Sequence, residues 1–316
     1  MARTVRQGWL LPPAKRVSRG LLVSFLLTCP FVAPCGGSDP SFDGERAYAL
    51  LEKQCSFGPR YPGSPGHKAC LEFLVSELRQ FTADVRLQSF DHSFGLDQQQ
   101  TARATNVVAR LWPDRTRRIL LCAHWDTRPW ADEDPDPRNR QKPILGANDG
   151  ASGVAVLLEL VRVLHERPPR VGIEIVFFDA EDQGKPGRDA TYCVGSRHYA
   201  RSLPRDDRPE AAILLDMVGD RDLNLFLEGH SYRYARSLAD QVWQTARQLG
   251  IIEFIPRVQY YVTDDHLPLL ELGVPAIDLI DFDYPYWHTL EDTPDKCSPA
   301  SLEKVGRVLL QVIRQW

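Results

Sequence analysis

The chain has 316 residues, 43% of them hydrophobic and 25% charged, enough for one large domain with a substantial core. Its 38 basic and 42 acidic side chains leave a formal net charge of −4. With no long basic stripe, no low-complexity tract and no internal repeat, nothing suggests nucleic acid as a partner.

Residues 1–35 read as an export signal. Arg3, Arg6, Lys15, Arg16 and Arg19 come first, without a single acid, and the apolar run GLLVSFLLTCPFVAP follows. That run is too short for a spanning helix. Cys35, followed by Gly-Gly-Ser-Asp, resembles the start of a bacterial lipoprotein, with Pro34 where Gly or Ala is usual. The expectation is an exported protein, either periplasmic and lipid-anchored or secreted, whose only membrane contact is that N-terminal anchor. Residues 36–44 then form a linker, and 45–316 one folded domain.

Seven cysteines occur, at 29, 35, 55, 70, 122, 193 and 297. No Cys-x-x-Cys spacing is present, which argues against a thiolate zinc site. An oxidising compartment permits disulfides, and the odd count beyond the signal leaves at least one thiol unpaired. Buried small side chains with one or two bridges are expected.

In chain order, ERAYALLEKQCSFGPR reads as a helix closed by a Gly-Pro turn, and a Pro/Gly loop opens a second amphipathic helix through LEFLVSELRQF. DVRLQSFDHSF and TNVVARLWP alternate like antiparallel strands. RRILLCAHWD is a short apolar strand ending in His and Asp, followed by a polar, Pro-rich loop. LGANDGASGVAVLLELVRVLHE turns through glycines into a long helix. GIEIVFFDAED, AAILLDMVGD and VPAIDLIDFD are further strands, YRYARSLADQVWQTARQLG is a helix, and SLEKVGRVLLQVIRQW closes the chain. Strands alternating with helices indicate an α/β fold: a mixed, mostly parallel sheet with helices on both faces.

The polar residues recur at the strand ends. His124 follows ILLCA, Glu181 and Asp182 follow IVFFDA, Asp216 follows AAILL, Asp149 precedes a helix, and His288 follows the loop after AIDLI. The carboxyl ends of strands in an open α/β sheet converge on one crevice. Taken singly, a strand-end Asp is a helix cap and a His a hydrogen-bonded core residue. Together they place two imidazoles and four carboxylates in one region. Nitrogen and carboxylate ligands without thiolates suit catalytic zinc. Of the adjacent pair Glu181–Asp182, one acid then binds metal and the other stays free for acid/base work.

The ordered motifs FGPRYPGSPGH, CAHWDTRP, ILGANDGASG, FFDAEDQG, CVGSRHYA, LLDMVGD, TDDHLPLL and WHTLEDTPD resemble the zinc-dependent M28 aminopeptidases. They are more similar to the glutaminyl-peptide cyclotransferases built on that fold. The resemblance runs from about residue 45 to the C-terminus. It implies peptide or protein substrates with N-terminal glutamine, converted to pyroglutamate with loss of ammonia. It places the zinc ligands on Asp149, Asp182 and His288, with Asp182 where the animal enzymes have Glu. It places the catalytic carboxylate on Glu181, and Asp216 and Asp264 as acids hydrogen-bonding around it. Trp287, Tyr284 and Tyr192 are the implied substrate-pocket aromatics, Tyr192 standing for a second tryptophan that has no match. One zinc is expected. The alternative is an aminopeptidase hydrolysing N-terminal residues with two zinc ions, the second on His124, Asp149 and Asp216; in a cyclase, His124 supports the first site instead. TDDHLPLL and the Trp287–His288 pair favour the cyclase. A non-catalytic binding ectodomain of the same fold is disfavoured, because no ligand position is lost. The loop WADEDPDPRNRQ, with Asp132, Glu133, Asp134 and Asp136, reads either as a solvated surface or as an entrance patch attracting cationic peptide N-termini.

Overall fold

A computed structural model describes residues 40–94 and 100–316, so the expected export signal and residues 36–39 of the expected linker lie outside the described residues. Two N-capped helices open the described chain. Asp43 caps α1 (Gly44–Cys55) by accepting from the Arg46 amide, and Ser64 caps α2 (Pro65–Arg79) by accepting from the His67 amide. Strands β1 (Val85–Phe94) and β2 (Gln100–Leu111) pair antiparallel, in register from Val85 opposite Ala109. The chain then alternates through β3 (Arg118–His124), α3 (Ala151–Glu166), β4 (Gly172–Phe178), α4 (Val194–Ser202) and β5 (Ala211–Asp216). Next come β6 (Leu225–Glu228), α5 (Gly229–Tyr234), α6 (Arg236–Gln248), β7 (Phe254–Tyr260), α7 (Leu267–Glu271), β8 (Ala276–Ile280) and α8 (Pro299–Gln315).

The main sheet has the order β1-β2-β4-β3-β5-β8. Strands β4, β3, β5 and β8 are mutually parallel, and β2 joins β4 antiparallel. This is the mixed, mostly parallel sheet expected from the alternation of strands and helices. Strands β6 and β7 form a separate parallel pair.

Strands β3, β4, β5 and β8 are buried on both faces, and the pleat divides their side chains. Ile119, Leu121, Ile173, Ile175, Phe177, Ile213 and Leu215 join α1, α3 and α8 in the larger core. Leu120, Cys122, Val176, Phe178 and Leu214 face the other way and meet Tyr199 of α4 and Leu269 of α7. Burying each such aliphatic or aromatic side chain contributes roughly 1.5–3 kcal/mol, which is why these strands read as continuous apolar runs. The described residues form one body from Pro40 to Trp316. No helix among them is long and apolar enough to cross a membrane.

The expected disulfides do not form. Cys55, Cys70, Cys122, Cys193 and Cys297 are all free and buried. They sit on separate packed segments, and burial pushes the Cys55 and Cys70 thiols up to about 12, so they remain protonated, apolar-like fillers.

Candidate active site and metal centre

The sheet order places β3 between β4 and β5, so consecutive connections leave β3 in opposite directions. Such a switch point opens a crevice at the carboxyl ends of the strands. His124 ends β3, Asp179–Asp182 follow β4, Asp216 ends β5 and Ile280–Phe282 lie at the end of β8. Four non-glycine residues there hold a positive φ: Ala180 (57°), Cys193 (56°), Met217 (47°) and His288 (54°). Backbone strain of this kind persists only where the surroundings over-determine it.

The three acids after β4 have separate fates. Asp179 is fully buried and structural, accepting from His67 Nε2 at 2.8 Å and from the Thr105 amide. Glu181 and Asp182 are presented by Asp126 of the HWD segment, whose two carboxylate oxygens accept their backbone amides at 3.1 and 3.3 Å. Adjacent carboxylates are thus fixed from behind, despite their repulsion.

Asp182 Oδ1 lies 3.1 Å from His288 Nε2, and Asp149 Oδ2 lies 3.6 Å from the same nitrogen. Ligand atoms around a tetrahedral zinc bound at 2.0–2.2 Å are separated by about 3.3–3.6 Å. Asp149 Oδ2 and Asp182 Oδ2 are buried without any hydrogen-bond partner. Buried carboxylate oxygens left without a partner are costly, and with the His288 nitrogen beside them they make a set that fits a zinc ion. The surrounding contacts orient the set. Asp132 Oδ1 sits 3.3 Å from His288 Nδ1, which turns Nε2 toward the two carboxylates. Arg128 is buried completely; it donates to Asp132 twice at 2.6 Å, to Asp182 Oδ1 at 3.2 Å and to the Tyr192 hydroxyl at 3.3 Å. Burial alone would lower the His288 imidazole, but Asp182 and Asp132 beside it raise it to about 9.

His124, Asp149 and Asp216 also converge. His124 Nε2 stands 3.2 Å from Asp149 Oδ1 and 3.1 Å from Asp216 Oδ1. Asp149 therefore splits its two oxygens between the two histidines.

Glu181 stands at the floor of a cavity of about 480 Å³ that is also lined by Asp149, Asp182, Asp216, Asp264 and His288. Burial, then Asp182 and then Asp264 push its carboxyl well above the usual range. Asp264 is itself raised to about 8 by burial and by Asp216. The expected hydrogen bonds from Asp216 and Asp264 to Glu181 are not made. Asp216 is taken by His124, and Asp264 Oδ1 accepts from the Asp265 amide. Their influence on Glu181 is through space.

Of the expected pocket aromatics, Trp287 and Tyr192 line the cavity. Trp287 stacks on His288 with ring centroids 3.8 Å apart. Gly184 makes room for Tyr192: a Cβ there would fall 2.1 Å from the ring. Tyr284 does not line the cavity. It is buried, and its hydroxyl donates to Asp292 Oδ1 at 2.8 Å, on the same carboxylate that accepts the Asn148 and Asp149 amides. It therefore braces the Asn148–Asp149 loop and lies off the cavity lining. Phe282 and Tyr261, not expected from the sequence, also line the cavity.

The acidic loop also divides. Asp132 is tied to Arg128 and His288, and the buried Asp134 accepts from the Leu290 and Asp136 amides. Asp136 pairs with Arg138. Glu133 alone of the four lies exposed on the cavity lining, where Asp189 joins it.

Sequence reasoning missed Cys193, whose thiol donates to Glu181 Oε1, and Asp278, buried within ligand distance of Asp264 and His266. An acid in the middle of AIDLI was the available signal for Asp278, because a buried strand does not carry a charge without cause.

Comparison with known proteins agrees with this geometry. A model of peptidase family M28 matches residues 106–313. The glutaminyl-peptide cyclotransferase-like protein of Mus musculus is 30% identical over 287 residues, covering 81% of this chain and 72% of the mouse protein. The crystal structure of Tannerella forsythia glutaminyl cyclase superposes with a TM-score of 0.84 at 39% identity, covering 88% of this chain and all of that one (100%). A leucine aminopeptidase precursor from Bacteroides thetaiotaomicron aligns with a TM-score of 0.83 at 36% identity, covering 88% and 99%. The chain belongs to peptidase family M28, on the branch that holds the glutaminyl-peptide cyclotransferases.

Proposed function

We propose that this protein is a glutaminyl-peptide cyclotransferase, converting N-terminal glutamine of peptides and proteins to pyroglutamate with release of ammonia. The observation that carries this reading is the single cavity that Glu181, its carboxyl pushed up by burial and by Asp182, lines together with the Asp149–Asp182–His288 set, Trp287 and Tyr192. Asp149, Asp182 and His288 would hold the zinc, which when bound supplies Lewis acidity to the glutamine side-chain carbonyl. Glu181 takes a proton from the substrate's α-amino nitrogen as that nitrogen forms a bond to the side-chain carbonyl carbon. The bond from that carbon to the amide nitrogen then breaks, and Glu181 gives its proton to the departing ammonia. A carboxyl raised toward neutrality suits both directions of transfer. Trp287, Tyr192 and Phe282 fold the glutamine side chain back toward its own amine and keep water from the carbonyl, where hydrolysis would give glutamate.

A second reading, hydrolysis by a two-zinc aminopeptidase, has the convergence of His124, Asp149 and Asp216 in its favour. The unpartnered carboxylate oxygens, Asp149 Oδ2 and Asp182 Oδ2, favour one ion on the His288 side. Zinc content per chain, measured after purification and again after titration with zinc, tests this. One ion per active protein is expected, and activity that rises with a second ion would contradict it. Export, with a lipid anchor at Cys35 or free release, remains the sequence-based part of the proposal.

A further inference from the structure

Cys193 lies outside the metal and substrate assignments, yet both its backbone and its side chain bind Glu181. Its backbone N–H donates to the Glu181 carbonyl oxygen at 3.0 Å, and its thiol donates to Glu181 Oε1 at 3.3 Å. Among the described residues, that thiol makes the only hydrogen bond to the Glu181 carboxyl group. Cys193 holds φ 56° and ψ 38°, the left-handed conformation that a side chain with a Cβ adopts only under constraint.

The constraint is visible. The Val194 amide donates to the Ala180 carbonyl at 3.1 Å, and the Ser196 hydroxyl donates to the Cys193 carbonyl at 3.1 Å. Gly195 lies so close to the β4 end that a Cβ would fall 2.2 Å from the Asp179 carbonyl oxygen. The first turn of α4 is thereby clamped to the segment that carries Glu181. Burial and the neighbouring Glu181 keep the thiol protonated, so its hydrogen is available to the carboxylate.

We propose that Cys193 is a positioning residue for Glu181. A glutamate side chain has several rotatable bonds to fix, and an unheld one spends much of its time in other rotamers. The thiol ties down Oε1 and leaves the second oxygen without a hydrogen bond, free for the proton that moves during ring closure. A thiol is a weak donor, so it holds the carboxylate without satisfying it as a guanidinium would. The inference rests on the reading of Glu181 as the acid/base group.

The test compares zinc-loaded wild type with C193A, C193S and C193G on a peptide beginning with glutamine, recording kcat, KM and melting temperature. C193G suits the positive φ and removes the thiol without straining the turn. The expected result is a loss in kcat of about tenfold or more in C193A and C193G, as for a misplaced reacting group. KM and melting temperature stay near wild type, and the C193S hydroxyl recovers part of the loss. A kcat at the wild-type value in C193A and C193G would overturn the proposal. So would losses that follow the melting temperature and are not relieved by serine. A wild type that makes no pyroglutamate overturns the reading of Glu181, and this inference with it.

Discussion

Glu181 and Asp182 are neighbours in sequence with opposite tasks, and their surroundings assign those tasks. Asp182 is held by the Arg128 guanidinium and stands beside His288, while around Glu181 burial and the acids Asp182 and Asp264 outweigh the opposing pull of His124. A carboxylate beside cations stays ionised, and one among acids keeps a proton. E181Q keeps the shape and removes the proton-carrying group. It is expected to lower kcat by about 10²–10⁴-fold, the range for general acid–base groups, while zinc content and melting temperature stay as in wild type. Turnover within a few-fold of wild type would rule out Glu181 as the base. The convergence of Asp149, Asp182, His288 and Glu181 was legible because each stands in a motif at a strand end or in the loop or turn that follows one. Cys193 and Asp132 were not. Their importance lies in contacts with Glu181 and His288 across the fold, which spacing along the chain does not display. Tyr284 was misplaced for the same reason: an aromatic near a ligand looks the same in sequence whether it faces the substrate or Asp292.

The elements that a sequence pattern reveals here are those with long apolar faces. Helix α3 and strands β3, β4, β5 and β8 were all readable. Strand β6 was not, because Leu225–Glu228 spans only four residues, and Pro256 within β7 argues against a strand. The segment read as one helix from Tyr232 is two, α5 and α6, because Ala235 leaves the helical region at φ −131°. Close packing between elements also hides in glycines. Gly153 of α3 lies against β5, and a Cβ there would fall 2.3 Å from the Leu215 carbonyl oxygen. In an isolated helix, Gly→Ala gains about 1 kcal/mol. Against rigid backbone, overpacking costs about 1–3 kcal/mol and should win. G153A is therefore expected to lower the unfolding free energy in urea, and an increase would show that α3 can move away from β5 freely.

Charge acts on the molecule as a whole through stability and through approach to the cavity. Asp281, fully buried, is pushed from 3.8 up to about 7 by burial. The folded state then holds a proton that the unfolded state has released, so this group favours folding at low pH. Its contribution is lost as pH rises from about 4 to about 7, by up to about 1.4 kcal/mol per unit. In D281N, the drop in unfolding free energy between pH 5 and pH 8 is expected to be smaller than in wild type by more than about 1 kcal/mol. Equal drops would mean that Asp281 is ionised in the fold. Among the described residues that line the cavity, only Glu133 and Asp189 are exposed acids. The double change E133Q/D189N should raise KM for peptides carrying Lys or Arg after the glutamine by about two- to fivefold at low salt. The effect should fade at high salt, and an unchanged KM at low salt would mark the loop as a solvated surface.

The pattern of strands alternating with helices made the parallel sheet and its crevice readable before any coordinate, but not the chemistry inside it. Both candidate ligand sets, His124–Asp149–Asp216 and Asp149–Asp182–His288, are complete here, so the products separate the two activities most directly. The deciding measurement offers zinc-loaded protein two peptides, one beginning with glutamine and one with leucine, and follows their masses. The account predicts that the glutamine peptide loses the mass of one ammonia and the leucine peptide is untouched, with both unchanged once chelator removes the metal. Release of free leucine, with no ammonia lost from the glutamine peptide, would contradict it and establish an aminopeptidase.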